Sequence, residues 1–345
     1  MFAKMIKAYI NWRDNNQDIS ALPWLLFAAV TVMTIATRGR FLRAGNMANI
    51  LAQTPELGLL SLAMMLAMVT AGINLSIIST ANLSAVIMAL IFTRLMPPEP
   101  TAGIAIAFVA FAIVTGIVAS AILGMFNGYL IGYLEVPAVL TTLGTMILYE
   151  GITLAITKGY VISGMPRQLV IIGNARLLGI PFQMYVFALA AIAVAIVIRR
   201  RPYGIQLYFT GSNPIATGFS GIDVKKVLMK TYILSGILSG IAAVVLLARF
   251  NSANARTGSS LLLSTVLICM LGGTDPFGGF GKVGGLVLAL FILQMVTSGL
   301  NLLGVSSFAT VAIWGMMLIG VMLYRYLQHK SWEKKRKQQQ VAALE

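Results

Sequence analysis

Catalysis by proton transfer needs carboxylate or histidine side chains that lie close together in the fold, and this sequence contains few of either. Its 345 residues include ten Asp and Glu residues and one histidine. Asp14, Asp18, Glu333 and Glu345 lie in the terminal segments, and His329 lies in a basic tail. No paired carboxylates or histidine cluster are therefore available for general acid–base catalysis.

The dipeptide Gly281-Lys282 suggests a phosphate-binding loop, but its surroundings do not fit one. Such a loop has a glycine five residues before its second glycine and a Ser or Thr after the lysine. Pro276 and Val283 occupy these positions. Cys269 is the sole cysteine, which excludes an intrachain disulfide and a Cys/His metal cluster. We therefore expect no enzyme activity, metal or cofactor in this chain.

Glu150 is the main acidic residue inside an apolar run, because Glu56 and Glu135 fall near the ends of such runs. Ionisable groups inside a membrane commonly mark a solute or ion pathway. The simpler interpretation is a carboxylate near the external membrane surface, paired with Lys158 or Arg167. A role in a translocation path is the second interpretation, and the sequence leaves both open.

The composition indicates that lipid is the solvent for much of the chain. Hydrophobic residues make up 58% and charged residues 10%, with a mean hydropathy of +0.88. A soluble domain carries about 25% charged residues. The net charge of +15 does not indicate nucleic-acid binding, because the basic residues sit at the ends of apolar runs. We predict an all-α polytopic membrane protein in a lipid bilayer.

Apolar runs of suitable length predict about ten membrane-spanning helices. The predicted spans are Ala21–Thr37, Leu57–Ile73, Ile77–Leu95, Ala102–Leu123, Pro137–Thr157, Phe182–Ile198, Thr231–Arg249, Leu261–Leu271, Val283–Gly299 and Phe308–Tyr324. The run Leu261–Leu271 is short for a full span and is followed by glycines. It therefore predicts a broken or half-crossing helix, which is tolerated where protein or a cavity covers the backbone.

The distribution of Lys and Arg predicts the orientation. Ten spans with a cytoplasmic N-terminus place both termini and most of the 25 basic residues inside. Arg38, Arg40 and Arg43 fall outside and argue against this orientation. The predicted parts are a cytoplasmic segment at residues 1–20, a transmembrane domain at 21–326 and a basic cytoplasmic tail at 327–345. We interpret the last residues of the tail as vector-derived and leave them out of the functional argument.

A series of glycine-rich motifs follows a specific order and spacing. They are Gly72-Ile-Asn-Leu-Ser76, Asn127-Gly128, Thr142-Leu-Gly-Thr-Met146, Arg201-Pro-Tyr-Gly204, Gly211-Ser-Asn-Pro-Ile-Ala216, Gly221-Ile-Asp-Val224 and Gly272-Gly-Thr-Asp-Pro-Phe-Gly-Gly-Phe-Gly281. Together they resemble the permeases of the ribose, galactose, xylose and autoinducer-2 class of ABC importers. The likeness runs from about residue 41 to 324, nearly the whole chain.

The resemblance implies a fold and a set of partners. The fold has a core of two inverted halves and about ten spans. The apolar runs independently indicate the same number of spans. The implied assembly holds a second permease copy, identical or unlike, two ATPase subunits that bind ATP and Mg²⁺, and a periplasmic solute-binding protein. The implied location is the bacterial inner membrane, which a multi-pass permease crosses with both termini in the cytoplasm.

The segment at residues 200–230 is the longest predicted cytoplasmic connection, so a soluble partner would dock there. The resemblance implies that Gly211–Lys226 contains a short coupling helix. Asn213 and Pro214 can start a helical turn and Gly221 can end it. The alternative is an ordinary amphipathic helix at the membrane surface. The predicted coupling residues are Gly211, Asn213, Pro214, Ala216, Gly221, Ile222 and Asp223.

Polar residues inside the predicted spans are candidates for a translocation path. They are Asn74, Asn82, Thr142 and Glu150, and for each amide or hydroxyl the alternative is a hydrogen bond between helices. For Asn127 and Asn301 we favour that alternative. Such a path needs only weak polar contacts, because the binding protein would supply selection.

The glycines after Leu271 have two interpretations, tight packing and gating motion. For Gly272, Gly273, Gly278, Gly279 and Gly281 both are expected to apply. Close packing is the favoured interpretation for Gly284 and Gly285. It is also favoured for the spaced pairs Gly124 with Gly128 and Gly236 with Gly240.

The chain departs from the family pattern at several positions. Asn74 stands where Asp is usual, Ile78 where Gly is usual, and Glu150 where Arg is common. These changes leave the solute open and are compatible with pairing of two unlike permeases. The leading hypothesis is an importer for a sugar-like solute that works by alternating access. The alternatives are a nucleoside permease, an ion-gradient-coupled carrier using Glu150, and a scaffold without flux.

Overall fold

A computed structural model of the protein describes residues 22–97, 99–306 and 308–323. The predicted cytoplasmic segment at residues 1–20, the tail at 327–345 and its His329 lie outside the described residues. The described part is mainly helical.

The helices and short strands follow one another along the chain. They are α1 Leu22–Ala36, α2 Ala44–Val69, α3 Ile77–Leu90 with its continuation Ile91–Leu95, α4 Ala102–Gly132, α5 Ala138–Thr157, β1 Ile162–Ser163, α6 Arg167–Asn174, β2 Arg176–Leu177, β3 Ile180–Pro181, α7 Phe182–Arg200, α8 Pro202–Ser212, α9 Pro214–Phe219, α10 Val224–Phe250, β4 Ser252–Ala253, α11 Leu261–Leu271, α12 Val283–Leu302 and α13 Phe308–Leu323. β1 pairs antiparallel with β4, and β2 and β3 form a small hairpin.

The predicted spans correspond to helices of the described chain. Within residues 22–97, 99–306 and 308–323, seven helices are long and apolar enough to cross a membrane, and α1, α11 and α13 are shorter apolar helices. The bounds Ile77–Leu95 and Leu261–Leu271 match the prediction residue for residue. The all-α polytopic fold is therefore confirmed.

The three largest errors in the predicted boundaries are of seven residues or more. Helix α2 begins at Ala44 rather than Leu57, α4 continues to Gly132 rather than ending at Leu123, and α10 begins at Val224 rather than Thr231. Each predicted span stops where Gly, Asn, Pro55 or Lys interrupts the apolar run, whereas the helix continues through these residues. One consequence is that Glu56 lies inside α2 and not at its end.

Helices α2 and α3 form the centre of the bundle. Within the most apolar window of α2, 83% of the residues are buried, and the corresponding share for α3 is 78%. For α4 the share falls to 22%, so its large apolar side chains face outward. A helix that is apolar on all sides belongs in a core or in lipid. The outward faces therefore suit lipid or a neighbouring membrane subunit.

The glycine pairs predicted for packing form the closest contact between α4 and α10. A methyl group at Gly236 would overlap the carbonyl oxygen of Ser120, and one at Gly124 would overlap that of Tyr232. A methyl group at Gly240 would overlap the Ser120 hydroxyl. The packing interpretation is confirmed, because only a hydrogen atom fits at these positions.

We expect Gly236→Ala to lower the free energy of unfolding by about 1–3 kcal/mol, the usual cost of overpacking a tight core. The added methyl group must push apart two helix backbones, which cannot rotate away as a side chain can. Equilibrium unfolding in detergent micelles measures the change. The matched control is Gly144→Ala in α5, where nothing lies within 4 Å of the new methyl group. Equal stability of the two variants would contradict the packing account.

The chain repeats one arrangement in its two halves. A long helix, α2 or α10, ends in a non-helical break, and a shorter helix, α3 or α11, follows it. We name the two breaks by their residues, the 70–76 break and the 251–260 break. This repetition agrees with the two-halves prediction and with broken helices, and the inversion of one half relative to the other stays a prediction.

Candidate coupling and translocation site

The connection between α7 and α10 folds into two helices, α8 and α9. Asn213 caps α9, because its side-chain oxygen accepts a hydrogen bond from the Ala216 amide at 2.9 Å. Pro214 occupies the first helical position, where its missing N–H costs nothing. Helix α9 ends at Phe219, and Gly221 follows with φ of 81°. The predicted start of a short helix at Asn213 and Pro214 is confirmed.

Asp223 begins the next helix, α10, as its capping residue. Its side chain accepts a hydrogen bond from the Lys226 amide at 3.1 Å and lies 3.0 Å from the Lys226 ammonium. These contacts, the Lys226 amide first, hold the pKa of the exposed Asp223 carboxyl below its ordinary value. The predicted coupling loop at 200–230 is therefore mostly helix, and Ile222 lies in the short turn before the cap.

Helix α9 presents an apolar face to the outside. Ile215 is 73% exposed and Phe219 is 90% exposed, and their spacing of four residues puts them on one face. Thr217 lies on the opposite side and is buried. Ala216 is also exposed. Exposed apolar patches with polar surroundings commonly mark binding surfaces.

Three backbone segments meet where α8 ends, at a place we call the junction, made of Val69, Gly211, Gly278 and Gly279. The Gly279 amide donates a hydrogen bond to the Val69 carbonyl oxygen at 2.8 Å. A methyl group at Gly211 would overlap that oxygen and lie 2.5 Å from the Gly279 nitrogen. One at Gly278 would lie 2.7 Å from the Gly211 oxygen. The connection carrying α9 is thus packed directly against the end of α2.

The predicted glycines after Leu271 surround this junction. Gly273, Gly278 and Gly279 have φ values of 88°, 89° and 78°. Residues other than glycine rarely adopt such values. Gly281 packs against the Val69 side chain, and its carbonyl oxygen accepts a hydrogen bond from the Tyr208 hydroxyl. Their packing and turn roles are observed, and their gating role stays a prediction.

Two further glycines show how specific this packing is. Gly272 lies against the backbone of Leu286 in α12, as expected for close helix contact. Gly284 is exposed, and a methyl group added there would meet no other described part of the chain within 4 Å, so its packing prediction is wrong. The reason is its position on the outer side of the first turn of α12.

A buried hydrogen-bond network begins in the 70–76 break, immediately after the junction. The Asn74 amide donates to the Ser235 hydroxyl at 3.0 Å, and that hydroxyl donates to the Ala63 carbonyl at 2.9 Å. The Ser76 hydroxyl donates to the Asn74 oxygen at 2.8 Å and accepts from the Asn127 amide at 2.8 Å. Asn74 and Asn127 therefore join the break to α2, α4 and α10.

The other predicted path residues also tie breaks to helices. The Thr142 hydroxyl donates to the Ile73 carbonyl at 2.7 Å, and the Asn82 amide donates to the Ala255 carbonyl at 2.9 Å. Asn74 and Thr142 thus hold the 70–76 break, whereas Asn82 holds the 251–260 break. Asn301 is exposed near the end of α12, and within the described chain its side chain makes no hydrogen bond between helices. The path residues are not gathered into one site.

Glu150 pairs with Arg256, not with the predicted Lys158 or Arg167. The Arg256 Nε donates to the Glu150 Oε1 at 3.0 Å, and the Arg256 side chain is 74% exposed. Arg256 lies in the 251–260 break. This break also contains β4, which pairs with β1. An exposed ion pair of this kind is worth about 0–1 kcal/mol.

Sequence reasoning missed a second, buried ion pair. The Glu56 Oε1 lies 2.6 Å from the Arg249 Nη1, and Glu56 is 7% exposed. Among the residues that the structure describes, the Glu56 Oε2 and the Arg249 Nη1 find no hydrogen-bond partner of good geometry. Local sequence gives no signal for this pair, because Pro55 interrupts the run directly before Glu56 although α2 continues through it.

Comparison with known proteins gives relatives over nearly the full length. Ribose import permease protein RbsC of Bacillus subtilis (strain 168) is 33% identical over 303 residues, covering 87% of this chain and 90% of that protein. Autoinducer 2 import system permease protein LsrC of Photorhabdus laumondii is 28% identical, covering 95% of both chains. Autoinducer 2 import system permease protein LsrD of Enterobacter sp. (strain 638) is 27% identical, covering 94% of this chain and 95% of that protein.

The family comparison agrees with the motifs. No solved structure matches at a significant level. Residues 46–327 match the family model described as "Branched-chain amino acid transport system / permease component". The resemblance predicted from the ordered glycine motifs is confirmed, and the apolar helices are those of a multi-pass membrane protein. The chain therefore belongs to this family of transport-system permease components.

Proposed function

We propose that this chain is the membrane-spanning subunit of an ABC importer in the bacterial inner membrane, which moves a sugar or sugar-like solute by alternating access. The names of the relatives support the solute class, because they specify ribose and autoinducer 2. The observation that carries the proposal is the junction, where the connection bearing α9 packs against the end of α2.

Helix α9 has the features of a docking element for a soluble subunit. It is short, capped at Asn213, and exposes Ile215 and Phe219 on one face. We assign this face to the ATPase subunits, which hold ATP and Mg²⁺, so α9 marks the cytoplasmic end of the bundle. Aromatic and aliphatic anchors of this kind carry much of the binding energy when they fill a pocket of the partner.

Movement of α9 can be transmitted to the breaks in the bundle through a few direct backbone contacts. Gly211 contacts Val69 and Gly279, and the 70–76 break begins directly after Val69. The Asn74 network then links that break to α10 and α4. ATP binding would therefore reorient the helices by shifting backbone segments that have almost no free space between them. Coupling of this kind requires different contacts in two global states.

The remaining partners follow from the same proposal. A periplasmic solute-binding protein would deliver the solute to the end of the bundle opposite α9. A second permease copy, identical or unlike, would cover part of the outward apolar faces of α4 and α5. The solute path would then run between or within the copies, with selection made largely by the binding protein.

The test is reconstitution in lipid vesicles with the cognate ATPase and binding protein. We expect a loaded binding protein to stimulate ATP hydrolysis, and solute uptake to follow it. Phe219→Glu should abolish ATPase binding, because it places a charge in the docking face. Leu178→Glu is the matched control, since Leu178 is 91% exposed in the β2–β3 hairpin at the opposite end of α7.

Other outcomes identify the alternatives. Uptake that follows an imposed ion gradient without any ATPase would indicate a secondary carrier. ATP-dependent uptake of a nucleoside or of leucine, but of no sugar, would keep the importer and change the solute. The absence of flux with every ATPase and gradient would indicate a scaffold.

A further inference from the structure

A basic pocket lies where the chain passes from α1 into α2. Its volume is about 300 Å³, and its lining consists of Arg40, Arg43, Gly45, Asn46, Asn49 and Leu302. Helix α2 is 26 residues long and ends at Val69, in the junction. At 1.5 Å per residue its two ends are about 39 Å apart, which exceeds the hydrocarbon thickness of a bilayer, about 30 Å. The pocket is therefore at the end of the bundle opposite α9, at the level of lipid headgroups.

The positive charge of this pocket is not balanced by acidic residues of the surrounding chain. The two segments that form it, residues 19–55 and 283–323, contain no Asp or Glu. Arg40 and Arg43 are both exposed, and the ion pairs of the described residues involve neither of them. Two like charges at one site attract an anion strongly, because their fields add.

The turn that carries the two arginines is held in place from both sides. Phe41 lies between them and is fully buried. Its amide donates to the Thr37 hydroxyl oxygen at 3.0 Å, and its carbonyl oxygen accepts from the Asn46 amide at 2.8 Å. The Asn46 oxygen in turn accepts from the Ser298 hydroxyl of α12 at 2.7 Å. A site whose backbone is already ordered loses little conformational entropy when a ligand binds.

The side chains of the lining suit a phosphate group. A guanidinium group presents N–H donors in a planar fork that matches two phosphate oxygens at once. Arg40 and Arg43 supply two such forks, and the exposed Asn49 adds a neutral amide donor. The lining contains no carboxylate that would repel an anion.

The surface next to the pocket favours a phosphate that belongs to a lipid. Helix α1 ends at Ala36, four residues before Arg40, and exposes Val32 by 58% and Ile35 by 74%. Acyl chains can cover these side chains while the headgroup stays beside the arginines. Basic pockets between membrane-spanning helices are known to bind anionic headgroups in this way. An acidic soluble protein would use the charge of the pocket but not the apolar surface of α1.

We propose that this pocket binds the phosphate group of an anionic phospholipid through Arg40, Arg43 and Asn49, with the acyl chains along α1. Such binding needs neither an ATPase nor a transported solute, and only the choice of leaflet rests on the proposed function. With α9 in the cytoplasm, the lipid belongs to the periplasmic leaflet. The site then gives a reason for arginines at an end of the bundle where the distribution of Lys and Arg predicts few.

The first experiment measures lipid binding to the full-length protein in detergent by native mass spectrometry. The probe is dioleoylphosphatidylglycerol, and dioleoylphosphatidylcholine, which has the same chains and no net charge, is the control lipid. We expect phosphatidylglycerol to bind about tenfold more tightly than phosphatidylcholine. Arg40→Gln/Arg43→Gln should remove about that tenfold preference, because it removes both charge-assisted contacts to the phosphate.

The matched control removes the same charge from the same end of the bundle. Arg94→Gln/Arg176→Gln changes two exposed arginines outside the lining, one in the continuation of α3 and one in the β2–β3 hairpin. Its preference for phosphatidylglycerol should equal that of the wild type. Equal losses in both double variants would indicate an effect of net charge alone and would overturn the site.

A second variant fills the pocket and leaves both arginines in place. Gly45 is exposed, and a side chain added there meets no other described part of the chain within 4 Å, so Gly45→Phe is compatible with the fold. It should also weaken phosphatidylglycerol binding by about tenfold. Gly103→Phe, at an equally open glycine in the first turn of α4, is its control and should bind as the wild type does. Unchanged binding in either Gly45→Phe or Arg40→Gln/Arg43→Gln overturns the proposal.

Two further measurements separate the lipid from other anions. Excess inorganic phosphate should not displace phosphatidylglycerol, since it lacks chains that pack on α1, and displacement would make the pocket a site for a free anion. If Arg40→Gln/Arg43→Gln abolishes binding of the solute-binding protein and leaves lipid binding unchanged, the pocket belongs to an acidic protein surface. ATP-dependent uptake with lipid binding that the variants do not change would refute the lipid site alone. Lipid binding that both variants weaken, without ATP-coupled uptake, would refute the importer alone.

Discussion

Gly211→Ala is expected to uncouple ATP hydrolysis from solute uptake. The new methyl group would overlap the Val69 carbonyl oxygen and lie 2.5 Å from the Gly279 nitrogen, and both are backbone atoms. Neither can move aside by a rotamer change, so α8 must separate from the end of α2. The hydrogen bond from Gly279 to Val69, now 2.8 Å, would be lost with that separation.

The expected loss is large because the junction is the direct contact between the coupling segment and the 70–76 break. Energetic coupling between two sites is typically about 1–3 kcal/mol, so its loss corresponds to a fall of about 5–150-fold in coupled uptake. ATPase binding should persist, because Ile215 and Phe219 are untouched. ATP hydrolysis would then continue without stimulation by the loaded binding protein.

The matched control is Gly144→Ala in α5. It also adds one methyl group to a helical glycine, and no described atom lies within 4 Å of that methyl group. Its uptake and its stimulated ATP hydrolysis should equal those of the wild type. Wild-type uptake by Gly211→Ala would contradict the role assigned to the junction, and equal losses in both variants would indicate a general effect of adding side chains to helical glycines.

Local signals explain what could be predicted from the sequence. The run Leu261–Leu271 was found with its true bounds because it holds no charged residue and has Ser260 before it and Gly272 after it. The start of α9 was found because capping by Asn213 and Pro214 depends on neighbouring residues alone. The family likeness was found because the order of many glycine motifs is specific, although each motif alone is not.

Contacts between distant segments explain what was missed. Glu150 and Arg256 are 106 residues apart, and only the folded chain brings the 251–260 break to α5. Charge alone favoured the nearer Lys158 and Arg167. Residues such as Asn74 look alike in a sequence whether they line a path or join helices. The fold shows that the Asn74 amide joins the break to α10, and its path role stays a prediction. Open space beside Gly284 is likewise a property of the fold.

The buried pair of Glu56 and Arg249 is expected to show the largest dependence of stability on a single side chain. Arg249→Met should lower the free energy of unfolding by about 3–5 kcal/mol, because it leaves the Glu56 carboxylate buried without its counter-charge. Arg256→Met, which breaks the exposed pair with Glu150, should cost no more than about 1 kcal/mol. Equilibrium unfolding in mixed detergent micelles measures both.

A double variant separates the worth of the ion pair from the cost of an unpaired charge. In Glu56→Gln/Arg249→Met no charge remains, and replacing a buried pair by neutral side chains of similar size is often nearly neutral. We therefore expect the double variant to recover most of the stability lost in Arg249→Met. Recovery would mean that the pair is retained for a reason other than stability. A double variant as unstable as Arg249→Met would instead assign the pair to holding α2 against α10.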